Sequence, residues 1–221
     1  MRIRARYLWP GVVVALGAAL VLLLALPSAA ANRDKGGKHP GKHASPATQT
    51  TPQGAMHVRW DIFRLVGGVP PGPIVAGGTA TATAPSGETI TLTGSGTFVA
   101  PAGNNGGSNA VTGGGTWHTS TGASGTYDVE ELVSFAFDSF QISTPAFTDN
   151  IGALNERANG TAVLRISYSN GQSGVLTVGC HGPGAQASIF EGVAVTKGAE
   201  TFYTVSAPAG EQGRTLFHVQ R

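Results

Sequence analysis

The sequence of 221 residues is poor in the features that usually indicate a particular reaction. Its one cysteine, Cys180, excludes an intramolecular disulfide and a zinc site built on paired cysteines. It contains no G-x-S-x-G, H-E-x-x-H or EF-hand pattern and no glycine-rich nucleotide signature. Charged residues make up only 12% of the chain, and their spacing predicts neither a metal nor a cofactor. The enzyme classes that are defined by such motifs are therefore not indicated.

Positive charge is also scarce in the part of the chain that can fold. Half of the 14 lysines and arginines precede residue 43. From Met56 onward, seven basic residues stand against eleven acidic ones, a net charge of −4. A nucleic-acid-binding protein needs a basic surface, so the sequence predicts no nucleic acid partner.

The N-terminus has the form of an export signal. Three arginines precede an apolar run of 15 residues from Val12 to Leu26, and the small residues 29–31 follow it. A membrane-spanning helix needs roughly 20 apolar residues, more than this run supplies. We therefore predict a signal peptide over residues 1–31, cleaved after Ala31 or one residue earlier, and a secreted or cell-surface protein. Retention of the run as a membrane anchor is the alternative.

Residues 32–55 have the composition of a linker. They read NRDKGGKHPGKHASPATQTTPQGA and contain no large apolar side chain. Such a segment cannot bury enough surface to offset its ordering entropy, so we predict a disordered basic linker. His39 and His43 within it are candidates for binding a soft metal or an anionic cell-wall polymer. A solvated linker is favoured, because two histidines in a flexible segment do not make a preorganised site.

Residues 56–221 have the composition of one all-β domain. Glycine, threonine and serine separate short runs of β-branched and aromatic residues. Strands are expected near residues 57–65, 77–84, 88–99, 110–119, 124–137, 161–169, 173–181, 188–197, 200–206 and 214–220. The pattern predicts a single antiparallel β-barrel or β-sandwich of about ten short strands. One short helix is expected over residues 151–157, with Asp149 or Asn150 as its N-cap.

A Gly-Thr-aromatic sequence occurs three times and ends at Phe98, Trp117 and Tyr127. Exposed on a sheet, these rings would form a row that stacks on a sugar or another flat ligand. The favoured interpretation is that they pack in the core and cover strand glycines, because aromatic residues in β-domains mainly bury area.

The segment GTYDVEELVSFAFD contains a candidate general acid or base, Glu131. In a regular strand Glu131 shares a face with Tyr127, Val129 and Val133, and burial there would raise its pKa. A β-bulge at Glu130 and Glu131 is favoured instead. The bulge turns both acids outward and avoids an unpaired buried charge.

The hairpin around residues 169–171, Ser-Asn-Gly, sets the direction of Cys180. A three-residue loop with its glycine left-handed pairs Leu164 with Leu176, whereas a two-residue loop would mix a charge into the apolar face. We therefore predict the three-residue loop. Side chains alternate along a strand, so Cys180 then joins the apolar face and His181 points the other way, as a candidate ligand-binding residue at the rim.

Three interpretations of Cys180 stay open. The favoured one is a core residue, since free cysteine is among the most buried residue types. As a nucleophile it would need a base other than its neighbour, and His57, His118 and His218 are candidates. As an odd cysteine outside the cell, it is also a candidate for an intermolecular disulfide.

From Gly77 to the C-terminus, the chain contains stretches such as GGTATATAPSGETITLTGSGTF, GTYDVEELVSF and SYSNGQSGVLTVGCHGPG. In these it resembles secreted bacterial proteins of unknown function. The resemblance implies a bacterial, exported and β-rich protein, and it assigns no catalytic residue.

Two functions remain open. The favoured one is a non-enzymatic extracellular β-domain that binds a small molecule, a glycan or a protein, with a cell-wall polymer or a small hydrophobic ligand among the candidate partners. The alternative is a β-barrel isomerase or hydrolase that uses Glu131, or Cys180 with a histidine such as His118. Membrane contact is expected only through an uncleaved signal segment.

Overall fold

The computed structural model describes residues 54–67, 72–102, 107–142, 148–204 and 213–220. The predicted signal peptide and nearly all of the predicted linker lie outside these residues and stay predictions. The described chain forms twelve strands and one short 3₁₀ helix, Leu154–Glu156. The strands are β1 (Met56–Leu65), β2 (Ile74–Ala76), β3 (Ala80–Thr83), β4 (Thr89–Leu92), β5 (Ser95–Ala100), β6 (Val111–Thr119), β7 (Ser124–Phe140), β8 (Arg157–Tyr168), β9 (Ser173–Cys180), β10 (Gly192–Lys197), β11 (Glu200–Phe202) and β12 (Arg214–Gln220). No helix in this part of the chain is long and apolar enough to cross a membrane.

Six strands close into an antiparallel barrel. Their order around the barrel is β1, β5, β6, β7, β8 and β12, and β12 completes the ring by pairing with both β8 and β1. The rings of Phe98, Phe135 and Phe217 come from three different strands of this barrel. They meet at centroid distances of 5.1 to 6.4 Å. Aromatic contacts of this kind stabilise a core beyond the area that they bury, so this trio marks the barrel interior.

The remaining strands extend the barrel on two sides. β9, β10 and β11 continue outward from β8, whereas β4 and β3 continue from β6. Thr83 and Tyr203 join the two extensions through a pair of backbone hydrogen bonds of 2.8 and 2.9 Å. β2 pairs with the end of β1. The extensions thereby cover surfaces that the six-stranded ring alone would leave open.

The predicted all-β fold is confirmed, and the barrel is the observed form of the two expected architectures. The expected strand 88–99 divides into β4 and β5, because the two halves pair with different stretches of β6. The short strand β2 was not predicted. The expected helix over 151–157 is wrong in length, since only Leu154–Glu156 is helical and Ala153 precedes it without a side-chain cap.

The predicted geometry of the β7, β8 and β9 strands is confirmed. β7 has a register shift between Val129 and Glu131, at the predicted bulge. Leu164 lies opposite Leu176, and Gly171 in the turn has a φ of +84°, in the left-handed region that favours glycine. The hairpin therefore has the three-residue loop, and its register carries Cys180 onto the buried face.

Candidate functional site

A cleft of about 480 Å³ lies where β9 ends and β12 begins. Because Phe217 points into the barrel, its neighbour Leu216 on β12 faces outward and into this region. We call this space the Cys180 cleft. Its lining residues are Phe63, Leu65, Ile74, Gln141, Arg157, Cys180, His181, Gly182, Pro183, Gly184, Ala185, Glu191, Arg214, Thr215 and Leu216. Seven of these residues have apolar side chains, Cys180 included, and six have polar or charged ones.

Cys180 is buried, with an exposed fraction of 1%. The side-chain amide of Gln141 donates a hydrogen bond of 3.4 Å to its Sγ atom. Burial raises the pKa of the Cys180 thiol well above its ordinary value, and the nearby Glu191 carboxylate adds to that effect. The thiol is therefore protonated at neutral pH, and a protonated thiol is a poor nucleophile.

His181 lies beside Cys180 in sequence but is exposed and turned away from it. Its Nδ1 atom is 2.7 Å from the carbonyl oxygen of Ile189, which can only accept a hydrogen bond, so Nδ1 carries the proton. This contact fixes the ring against the loop between β9 and β10. Cys180 and His181 do not form a dyad, as the alternation of side chains predicts.

Glu191 ties together the two strand ends that form one wall of the cleft. Its carboxylate accepts hydrogen bonds from the backbone N–H groups of His181, at 2.5 Å, and Thr215, at 2.8 Å. Burial raises the pKa of Glu191, although these hydrogen bonds and the charge of Arg214 act in the opposite direction. The Thr215 hydroxyl also donates to the carbonyl of Gly179. The wall is thus held by polar contacts to the backbone and is rigid.

Arg157 brings a buried positive charge to the cleft. Its exposed fraction is 4%, and it lies opposite His218 in the register of β8 and β12. The Nε atom of Arg157 is 3.8 Å from Oδ2 of Asp149, too far for a hydrogen bond. Among the buried side-chain atoms of the described residues, Arg157 Nε, His218 Nδ1 and Trp60 Nε1 have no hydrogen-bond partner. The guanidinium lines the cleft, forms a long ion pair with Asp149 and keeps one donor without an acceptor.

Asp149 is held from three directions. Its Oδ1 atom accepts hydrogen bonds from the backbone N–H groups of Ile151, at 2.9 Å, and Gly152, at 3.1 Å. Its Oδ2 atom lies 3.2 Å from Nε2 of His218. Burial favours the neutral form of Asp149, but these three hydrogen bonds outweigh it and lower the pKa. Asp149 thus closes a turn before the 3₁₀ helix instead of capping the longer helix that the sequence predicts.

A second cavity of about 570 Å³, the outer groove, is lined by residues of the neighbouring strands β12, β1, β5 and β6. It contains His57, His218 and Arg59, whose guanidinium forms two hydrogen bonds of 2.8 and 2.9 Å with the Asp61 carboxylate. That pairing raises the pKa of Arg59. The donors of Arg59 that face Asp61 are thereby occupied, unlike the Nε donor of Arg157 in the Cys180 cleft.

The three aromatic candidates lie in the core. Phe98, Trp117 and Tyr127 have exposed fractions of 1 to 2%. The indole N–H of Trp117 donates to the Thr126 carbonyl at 3.1 Å, and the Tyr127 hydroxyl donates to the Thr93 carbonyl at 2.8 Å. The row of exposed rings is therefore not formed, and the favoured interpretation of core packing matches their positions.

The other candidate residues do not come together with Cys180. Glu131 is turned outward by the bulge and forms an ion pair of 2.8 Å with Arg165. His118 is exposed on β6, opposite Thr91 and Ser124. His57 and His218 line the outer groove instead of the cleft. Within the described ranges, no group of three His, Cys, Asp or Glu side chains is placed to hold a metal ion.

The sequence analysis missed the polar residues Arg157, Glu191 and Gln141, which line the cleft, and the contact of Asp149 with Arg157. A usable signal was present for two of them. Arg157 begins a strand and Glu191 directly precedes one, in a domain where charges are rare. A charge at the end of a buried strand either reaches solvent or enters a polar site. The burial of Arg157 and the two backbone hydrogen bonds of Glu191 indicate the second case.

No protein-family model, curated protein or solved structure matches the chain. The function of the cleft therefore rests on its own geometry and chemistry.

Proposed function

We propose that the protein is an exported, non-enzymatic β-barrel domain that binds a small, largely apolar molecule in the Cys180 cleft. The cleft volume of about 480 Å³ lies in the range of small-molecule sites, which are about 300 to 1,000 Å³. Such sites combine apolar walls with a few placed polar groups. Phe63, Leu65 and Leu216 supply the walls, and Arg157 and Gln141 supply polar groups.

One observation carries the proposal for binding without catalysis. The nucleophile candidate of the cleft, Cys180, is a buried thiol whose pKa is raised by burial and by the nearby Glu191 carboxylate. The side chain that hydrogen-bonds its Sγ atom is an amide, Gln141, and Glu191 accepts hydrogen bonds from two backbone N–H groups. A nucleophilic cysteine needs a lowered pKa or an adjacent base. The single histidine among the described residues lining the cleft, His181, is engaged with a backbone carbonyl.

The surrounding fold suits a binding site. The walls of the cleft come from the barrel strands β1, β8 and β12 and from β9, which is joined to β8 by a hydrogen-bond ladder. A site on rigid elements loses little conformational freedom when a ligand binds. A cleaved signal peptide and a flexible linker would present this domain outside the cell.

A ligand screen with two matched variants tests the proposal. Ala185 lines the cleft, whereas Ala187 is exposed two residues further along the same loop. Ala185→Trp fills the cleft, and Ala187→Trp adds the same side chain outside it. A panel of small amphipathic and apolar compounds is compared by thermal unfolding of the wild type and both variants.

We expect at least one compound to raise the unfolding temperature of the wild type and of Ala187→Trp but not of Ala185→Trp. A ligand at about 100 times its Kd stabilises the folded state by about 2.7 kcal/mol, which is readily detected. The proposal fails if no compound stabilises the wild type, or if Ala185→Trp responds as strongly as Ala187→Trp.

A further inference from the structure

Arg157 is the feature of the Cys180 cleft that its own fold leaves unsatisfied. A guanidinium is always charged, and burying a charge is costly unless it is paired and hydrogen-bonded. Arg157 is buried, yet its Nε atom has no hydrogen-bond partner among the residues that the structure describes. An acceptor placed in the cleft would remove this cost.

Asp149, the nearest carboxylate, is not free to supply that acceptor. Its Oδ2 atom is 3.8 Å from Arg157 Nε and 3.2 Å from His218 Nε2. Its Oδ1 atom already accepts two backbone hydrogen bonds. A movement of Asp149 toward Arg157 would break the contact with His218 and strain the turn at residues 149–152. The missing acceptor must come from outside this network.

We propose that the ligand of the Cys180 cleft is a small amphipathic carboxylic acid whose carboxylate binds Arg157. This inference rests on the proposed function of the cleft. The planar guanidinium matches the two oxygens of a carboxylate. The apolar body of the ligand packs against Phe63, Leu65 and Leu216, which line the same cleft.

The charges around the cleft favour a monovalent anion. Arg157, Arg214 and Glu191 line it. A second acid, Asp149, lies 3.8 Å from the Nε atom of Arg157. The Glu191 carboxylate is occupied by two backbone N–H groups, and Asp149 by His218 and its own turn. A dianion such as a phosphate monoester would add a second negative charge beside these two acids. A carboxylate adds one, and it pairs with the Arg157 guanidinium that lines the cleft.

The test compares head groups on the same apolar body, using the wild-type protein. Octanoic acid, octanamide and octanol form one series, and hydrocinnamic acid with its amide and alcohol forms another. Affinities are measured by titration calorimetry at neutral pH. The acid can form a charged hydrogen bond with the Arg157 guanidinium, which the amide and the alcohol cannot. We therefore expect the acid of at least one series to bind about 10- to 100-fold tighter than its amide and alcohol.

Two variants assign the effect to Arg157. Arg157→Gln should remove the preference for the acid. Arg165→Gln should keep it, because Arg165 lies on the same strand, is exposed and pairs with Glu131 outside the cleft. If Arg157→Gln does not fold, the wild-type comparison of acid with amide still decides the proposal.

The outcomes separate the two proposals. If amides or alcohols bind as tightly as the acids in both series, the carboxylate proposal is overturned and the cleft remains a binding site. A preference for the acid that persists in Arg157→Gln also overturns it. If none of the six compounds binds to the wild type, both the carboxylate proposal and the proposal that the cleft binds apolar molecules are contradicted.

Discussion

The hairpin of β8 and β9 has an aromatic end near its turn and a cleft end at Cys180, and the two ends treat buried polar groups differently. At the aromatic end, Trp117, Tyr127 and Tyr168 each donate a hydrogen bond to a backbone carbonyl, at 2.8 to 3.1 Å. The ring centroids of Trp117 and Tyr168 lie 5.6 Å apart in an edge contact. The polar atoms of these three side chains are satisfied within the fold.

At the cleft end, the same hairpin leaves a charge without its full set of partners. The Nε donor of Arg157 has no acceptor among the described residues. Satisfied buried groups stabilise a fold, whereas unsatisfied ones cost stability. One hairpin thus joins an end whose buried polar groups are satisfied to an end that keeps an unsatisfied donor.

The largest expected effect is at the aromatic end. Trp117→Ala removes a buried indole, its edge contact with Tyr168 and its contact with the Lys197 ammonium, which lies 4.5 Å from the ring centroid. Replacing a core tryptophan by alanine lowers the free energy of unfolding by about 3–5 kcal/mol. Urea denaturation followed by circular dichroism measures this loss.

Tyr203→Ala is the control for that substitution. Tyr203 is an aromatic side chain with an exposed fraction of 53%, so its removal should change the free energy of unfolding by no more than about 0.5 kcal/mol. Similar losses in Trp117→Ala and Tyr203→Ala would contradict the division between the two ends.

The cleft end should respond to pH through two acids with opposite signs. Hydrogen bonds lower the pKa of Asp149 against the effect of burial. Its stabilising contribution is therefore complete above the unfolded pKa of about 3.9 and is lost as the pH falls through the lower folded value. Asp149→Asn should be most destabilised relative to the wild type near neutral pH, and this deficit should shrink in acid.

Glu191 should show the reverse. Burial raises its pKa, so its favourable contribution is present below the unfolded value of about 4.3 and is lost as the pH rises through the folded value. The deficit of Glu191→Gln relative to the wild type should be largest in acid and shrink toward neutral pH. Urea titrations at a series of pH values measure the stability deficit of each variant. If the two deficits changed with pH in the same direction, the assignment would be refuted.

The smallest expected effect lies between the two ends, at the bulge of β7. Glu131→Gln breaks the ion pair with Arg165, in which the two side chains are 23% and 56% exposed. Partly exposed pairs contribute about 0–1 kcal/mol, and Arg165→Gln should cost the same. A loss of several kcal/mol from Glu131→Gln alone would mean that Glu131 is a buried, structurally required acid.

Sequence reasoning succeeded where contacts are local. The turn at residues 169–171 determines which residues of β8 and β9 face each other, so the directions of Cys180 and His181 followed from a period of two. The bulge at Glu131 followed from the cost of an unpaired buried charge. Each of these inferences needed only one strand or one hairpin.

It failed where distant segments meet. Arg157, Gln141, Glu191 and Leu216 come from four different segments, and only the closed sheet brings them to one cleft. The spacing of apolar residues within a strand does not determine which distant strand pairs with it. Asp149 was expected to cap a helix because a capping pattern is local, whereas its contact with His218 depends on a strand near the other end of the described chain.

The position of β12 has a consequence for how the molecule is made. This strand is the last of the described elements in sequence, and it fills the gap between β1, the first, and β8. Pairings between such distant segments form slowly, because the chain entropy must be lost before the contacts can stabilise the fold. The barrel stays open until its final strand has been synthesised. Under the predicted export by a signal peptide, the polypeptide would pass through a membrane channel before the ring closes.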